Sequence, residues 1–140
     1  TYAAICEDHT RPYDGILDML RALREKGIRV AVVSNKFDAA TKQLCGKYFG
    51  ELVEVAIGER AGVRKKPAPD TVYEALKELG VTAEGAVYIG DSDVDIQTAE
   101  NCGMPCISVT WGLRDKEFLL QNGAEILVDA PKDLLGVIIV

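Results

Sequence analysis

The stretch Val87-Tyr88-Ile89-Gly90-Asp91-Ser92-Asp93-Val94-Asp95 constrains the fold more than any other part of the chain. A short run rich in β-formers stops at Gly90. Three carboxylates follow within five residues, and an apolar helical pattern at Ile96, Ala99 and Cys102 begins behind them. This reads as a strand that delivers acids to a sheet edge and then enters a helix. With Asp91 at the strand end and Asp95 in the first helical turn, carboxylates about 6 Å apart repel by roughly 3 kcal/mol at an effective dielectric near 20. A helix N-terminus returns only about 0.3 to 1 kcal/mol per acid. A hard divalent cation with oxygen ligands, most simply Mg²⁺, would supply the missing positive charge. The alternative is that all three acids are solvated N-cap and first-turn residues.

The rest of the chain alternates strand and helix patterns about this stretch. Residues 1–11 look like the tail of a helix, with Tyr2, Ile5 and Cys6 at helical spacing, running into a polar connector. A turn at 12–15 leads to an amphipathic helix marked by Ile16, Met19, Leu20 and Leu23, which stops at Gly27. Residues 28–33 form a mostly apolar run, the pattern of a strand buried on both faces of a parallel sheet, and Ser34-Asn35 end it. Asp38 is a plausible N-cap for a helix to Tyr48, and residues 53–57 are the next strand. A helix opens at Pro69-Asp70, carries Val72, Ala75, Leu76 and Leu79 on one face, and closes at Gly80. After the acid-bearing strand come a strand at 106–109, a short helix at 116–122 and a strand at 126–128. The apolar tail 134–140 should pack as a helix or an edge strand. This alternation argues for an α/β, doubly wound parallel sheet with right-handed crossovers, whose ligand crevice lies at the carboxyl ends of the strands.

Length and charge narrow the possible partners. At 140 residues the chain suffices for one domain with one core. A net charge of −6 disfavours a general nucleic-acid surface, which needs clustered Lys and Arg. No apolar run approaches the roughly 20 residues that span a bilayer, and there is no leader pattern, so a cytoplasmic location is expected. The four cysteines include no CxxC pair and the only histidine is His9, which suits neither a structural zinc site nor a disulfide framework. Reduced, buried cysteines and a surface His9 are the expectation.

The crevice side of the sheet collects a constellation. Ser34 and Asn35 offer hydroxyl and amide donors after one strand. Lys66 lies in the only basic cluster, with Arg60, Arg64 and Lys65, while Asp91 and Asp95 are acids able to hold Mg²⁺. Donors and lysine would bind phosphoryl oxygens, and the metal would bridge phosphate to carboxylate. Each part alone is ordinary: Ser-Asn after a strand is commonly a turn, and a basic loop is commonly a solvated face. Order and spacing make the joint signal.

Three stretches resemble the haloacid dehalogenase superfamily of phosphohydrolases, most closely its phosphoglycolate phosphatase-like members. They are Ala31-Val32-Val33-Ser34-Asn35-Lys36, Arg64-Lys65-Lys66-Pro67-Ala68-Pro69-Asp70, and Tyr88 through Ala99 with its Gly90-Asp91-Ser92-Asp93-Val94-Asp95 core. With Val109-Thr110-Trp111-Gly112 the resemblance covers residues 11–140. It implies a Rossmann-like core in which Ser34 binds phosphate, with Asn35 beside it, and Lys66 pairs with phosphate and nucleophile. Asp91 is then a Mg²⁺ ligand, Asp95 supports the metal shell, and Asp93 is only a helix-start residue. Lys66 and Asp91 are the catalytic residues on this reading. The expected activity is Mg²⁺-dependent hydrolysis of a small phosphorylated metabolite through an aspartyl-phosphate, with phosphoglycolate as the default.

The family's first motif, Asp-x-Asp-Gly-Thr after an N-terminal strand, has no counterpart here. Cys6-Glu7-Asp8-His9-Thr10 has the wrong residues after the acid, and Tyr13-Asp14-Gly15 has Pro12 where the nucleophile should stand. Residues 1–11 are therefore expected to be the end of a helical cap and its connector, and 12–140 the core domain. On this reading the nucleophile and the first central strand are missing, and the 140 residues alone are inactive. Two strand edges would then lack a neighbour, so self-association, element swapping or a separate N-terminal segment is expected to fill the sheet. The alternatives are a phosphate- or Mg²⁺-binding fragment without chemistry, a phosphomutase or pyrophosphatase on the same core, and a phosphoacceptor receiver domain. The receiver should carry its acid pair after the first strand, where Ser34-Asn35 stands instead.

Overall fold

A computed structural model describes residues 3–7, 15–111 and 114–139. The elements are β1 (Ala3–Glu7), α1 (Ile16–Glu25), β2 (Arg29–Phe37), α2 (Asp38–Tyr48), β3 (Val55–Glu59), α3 (Asp70–Leu79), β4 (Ala86–Gly90), α4 (Asp93–Cys102), β5 (Cys106–Val109), α5 (Lys116–Gln121), β6 (Ile126–Val128) and α6 (Pro131–Ile139). The six strands form one parallel sheet in the order β3-β2-β1-β4-β5-β6. The chain builds outward from β1 through β2 to β3, then crosses back to β4 and builds the other way. The order therefore reverses between β1 and β4, and a doubly wound sheet opens its crevice at that point, beyond the carboxyl ends of those strands.

The expected α/β doubly wound sheet is observed, but two expectations about its start are corrected. Residues 3–7 are a strand rather than the end of a helix, and the central position expected to be vacant is filled by this strand. Ala4 pairs with Val30 on one side and Val87 on the other, and Cys6 with Val32 and Ile89. The physical reason lies in the run Ala3-Ala4-Ile5-Cys6. It is too short for its apolar spacing to separate helix from strand. A slot between β2 and β4 offers it hydrogen bonds on both edges and burial on both faces, with Ala3, Ala4 and Ile5 fully buried. The connector and most of the turn after it, residues 8–14, which include His9, lie outside the described residues.

Two apolar layers flank the sheet. On one side Val72, Leu76 and Leu79 of α3 and Ala99 of α4 pack on Ile5, Val33, Ile57 and Tyr88. On the other, Met19, Leu20 and Leu23 of α1 and Leu134 of α6 pack on Val30, Val87, Ile89 and Ile107. The alternation along β4 thus turns Tyr88 toward the α3 and α4 side, where its hydroxyl has a role described below. The apolar tail resolves as a helix. β2 continues to Phe37, beyond the expected stop at Ser34, after a register shift between Val33 and Phe37. Asp38 opens α2 without capping it. Its carboxylate instead accepts from the Gly58 N–H at 3.0 Å and from Lys42 at 2.8 Å, tying α2 to β3. Among the described residues, no helix is long and apolar enough to cross a membrane.

Cys102 and Cys106 are free thiols. Burial pushes the Cys102 thiol up to about 11 and the Cys106 thiol up to about 12. At pH 8 the thiolate fraction is then only ~1 in 1,000 to ~1 in 10,000. A thiol-specific reagent at pH 8 is expected to leave both unmodified in the native protein and to label both in urea; rapid native labelling of either would contradict this packing. The folded state holds these protons more tightly than the unfolded one. Their contribution is therefore complete below the unfolded thiol value and is lost as pH rises through 11 to 12.

Candidate functional site

The site grows from the end of β4. Gly90 closes the strand, Asp91 stands at its carboxyl edge with 4% exposure, and Ser92 caps α4, its Oγ accepting from the Asp95 N–H at 3.4 Å. Asp95, one turn into α4, is fully buried and turns back toward the strand end. Its two carboxylate oxygens receive four donors. Oδ1 accepts from Lys66 Nζ at 3.1 Å and from the Tyr88 hydroxyl at 2.7 Å. Oδ2 accepts from the Asp91 N–H and the Ser92 hydroxyl, each at 3.0 Å. This return of an acid to the residues before the helix is a variant of the capping box, with Ser92 and Asp95 at its two ends.

Lys66 reaches this carboxylate from the loop between β3 and α3, and the side chains of the pair are 3% and 1% exposed. Burying two charges is expensive unless geometry and further hydrogen bonds compensate. Here three further donors complete the carboxylate, which fixes where the lysine head stands. Asn35 meets the same residue from the other side: its Oδ1 accepts the Lys66 N–H at 2.9 Å and its Nδ2 donates to the Lys66 carbonyl at 3.3 Å. Ser34, 3% exposed, accepts the Lys36 N–H on Oγ at 3.0 Å, a hydroxyl turn at the end of the buried part of β2. On the far side of Asp91, its carbonyl accepts from the Arg114 N–H at 3.1 Å.

Register places Ser34 and Asp91 at one level of the sheet. Val33 pairs with Glu7 and Ile89 with Cys6 across β1. Ser34, within β2, and Asp91, just after β4, therefore stand two strand spacings apart, about 10 Å.

Lys66, Asp91 and Asp95 are brought together, Asn35 is bound to Lys66, and Ser34 enters through its neighbour Asn35. Asp93 begins α4 at half-exposure, as expected of a helix-start residue. Asp95 already receives four protein donors, and Asp91 is the neighbouring carboxylate that could hold a cation. Among the described residues no group of three or more His, Cys, Asp or Glu could hold a metal unaided. Tyr88 and Ser92 are parts of the site that sequence reasoning missed. The Ser92-to-Asp95 spacing was a usable signal; Tyr88 sat inside an apolar run with none.

Known proteins place the chain in a family. A sequence model of one family, described as haloacid dehalogenase-like hydrolase, matches residues 1–109. The pyrophosphatase PpaX of Listeria monocytogenes is 29% identical over 133 residues, covering 94% of this chain and 61% of that protein. The N-acetylmuramic acid 6-phosphate phosphatase of Pseudomonas aeruginosa is 30% identical over 141 residues, covering 98% and 62%. The crystal structure of a candidate phosphoglycolate phosphatase from Lactobacillus delbrueckii subsp. bulgaricus superposes with a TM-score of 0.89 at 46% identity. It covers 91% of this chain and 54% of that one. The chain thus spans between half and two thirds of the length of each of these proteins.

Proposed function

Since the chain belongs to the haloacid dehalogenase-like hydrolases, we propose that it forms the phosphate-handling core of a Mg²⁺-dependent phosphomonoester hydrolase. The substrate is a small phosphorylated metabolite, with phosphoglycolate as the default, and the activity is cytoplasmic. The observation that carries this reading is the buried Lys66–Asp95 pair at 3.1 Å, set beside Asp91 where the strand order reverses. Asp95 does not meet the substrate. It holds the Lys66 ammonium where the phosphoryl oxygens, and then the transition state, carry their charge. The Ser34 hydroxyl orients the phosphate from the β2 side, and Asp91 holds Mg²⁺. When bound, the ion would neutralise phosphoryl charge. The aspartate nucleophile implied by the family resemblance is not placed among the described side chains.

Similar proteins named for pyrophosphate, an amino-sugar phosphate and phosphoglycolate leave the ester unassigned, and a pyrophosphatase or phosphomutase on the same core is the neighbouring reading. A phosphate- and Mg²⁺-binding core without turnover is the second reading, favoured by the lack of an Asp-x-Asp-Gly-Thr run. Phosphate release from phosphoglycolate, pyrophosphate and sugar phosphates, with and without Mg²⁺, tests these. Release is expected to need Mg²⁺, and Lys66→Ala to lower it about 10²- to 10³-fold with the fold retained. Undiminished release in Lys66→Ala would overturn the role given to the pair. Binding without release from any ester would select the second reading.

A further inference from the structure

Lys66 is delivered by a segment, residues 60–69, that contains no helix and only the isolated bridge between Arg60 and Val63. A lysine on such a loop has much conformational freedom to lose before it can serve a site, since ordering its backbone and side chain costs on the order of 1 to 2 kcal/mol each. The loop nonetheless presents Lys66 in a single place, held through its backbone by two asparagine side chains. The Asn35 side chain takes both backbone polar groups of Lys66, N–H on Oδ1 at 2.9 Å and carbonyl on Nδ2 at 3.3 Å. Asn101, on the last turns of α4, donates from Nδ2 to the next carbonyl, that of Pro67, at 2.8 Å. Three consecutive backbone groups are therefore pinned by two asparagines from two different elements. The side chain of the same residue is pinned a fourth time, by Asp95 of α4.

From this we infer that Asn35 is a positioning residue for Lys66: it clasps the lysine backbone so that Nζ is preset against Asp95, with Asn101 as a second and weaker tether. The inference rests on the phosphoryl-site reading of Lys66 and assigns Asn35 a role different from direct phosphate donation. The chemistry of the clasp explains why an amide stands here. Only a short side chain carrying one donor and one acceptor in a plane can answer the N–H and C=O of one residue together. Aspartate keeps the acceptor, loses the donor and turns a charge toward the Lys66 carbonyl; alanine loses both bonds. Asn35 joins loop to β2 and Asn101 joins it to α4, so the triangle of β2, loop and α4 keeps the distance between phosphate donor and cation constant without any ordered element in the loop itself.

The test is made on the 140-residue chain with Asn35→Ala and Asn101→Ala, reading three quantities by NMR and titration. In Asn35→Ala the Lys66 amide is expected to exchange at least about tenfold faster, while strand amides such as Val32 keep their protection. The Lys66 side-chain Cε and Hε signals are expected to move toward those of solvated lysines. Affinity for inorganic phosphate in Mg²⁺ is expected to fall about tenfold, the loss matching one to two ordinary hydrogen bonds, with little change in melting temperature. Asn101→Ala should show the same changes at smaller size. Faster exchange at Lys66 with unmoved side-chain signals would mean that the clasp holds the loop and nothing more, and would overturn the inference. So would an unchanged Lys66 amide. If the wild-type chain binds no phosphate, the phosphoryl-site reading fails, and the Lys66 side-chain signals still decide whether Asn35 positions the lysine.

Discussion

Asp95→Ala is expected to cost about 3 to 5 kcal/mol of folding stability, a large share of the roughly 5 to 15 kcal/mol that holds a domain together. Four donors converge on this carboxylate. Lys66 Nζ and the Tyr88 hydroxyl lose the acceptor on one side, and the Asp91 N–H and Ser92 hydroxyl lose it on the other, all within a fully buried pocket. The partners were desolvated for this one group, so its removal forfeits their compensation and not merely its own bonds. Asparagine does not repair the loss, because its amine must replace one of two oxygens that each receive two donors. Urea unfolding should place Asp95→Asn between wild type and Asp95→Ala. A loss under about 1 kcal/mol in Asp95→Ala would contradict the network.

Gly90→Ala is expected to be nearly as damaging, for a steric reason. A Cβ on Gly90 would lie 2.3 Å from Asp95 Cβ, 2.5 Å from Cγ and 2.7 Å from Oδ2. Carbon atoms in contact rest near 3.5 to 4.0 Å, and a buried side chain held by four donors cannot swing away. Either α4 moves from the end of β4 or Asp95 leaves its partners, at a cost at or above the ~3 kcal/mol upper end of ordinary overpacking. Gly103→Ala makes the contrast. Gly103 has φ 68° with nothing near its missing Cβ, so alanine there pays backbone strain alone, about 1 kcal/mol. Equal losses at the two positions in chemical denaturation would show that the close approach at Gly90 is not what holds the site.

The layout of the sheet and the gathering of Lys66, Asp91 and Asp95 were legible because both follow from local patterns. Apolar runs ending in polar residues announce buried parallel strands, and in such a sheet the residues just after the strands share one edge. The strand at Ala3–Glu7 was not legible, because a four-residue apolar run takes whatever conformation its neighbours complete, and its partners lie 26 and 83 residues further on, Val30 opposite Ala4 and Ala86 opposite Ala3. The clasp between Asn35 and Lys66 spans 31 positions and uses backbone groups, which leave no trace in residue type. Tyr88 looked like one more apolar residue of a central strand; the parity of the strand, fixed only once the sheet is assembled, turns its hydroxyl onto Asp95. The carboxylate repulsion inferred between Asp91 and Asp95 is answered in part within the protein, since Lys66 supplies a positive charge at 3.1 Å from Asp95.

The central claim is that the carboxyl edge of this sheet is a phosphate site completed by Mg²⁺ at Asp91. Calorimetric titration of the chain with inorganic phosphate, with and without Mg²⁺, in wild type and in Asp91→Asn, tests it most directly. The account predicts phosphate binding that strengthens with Mg²⁺ in the wild type and loses that Mg²⁺ dependence in Asp91→Asn at unchanged fold. Phosphate affinity indifferent to Mg²⁺ in the wild type, or equally responsive to it in Asp91→Asn, would contradict the account.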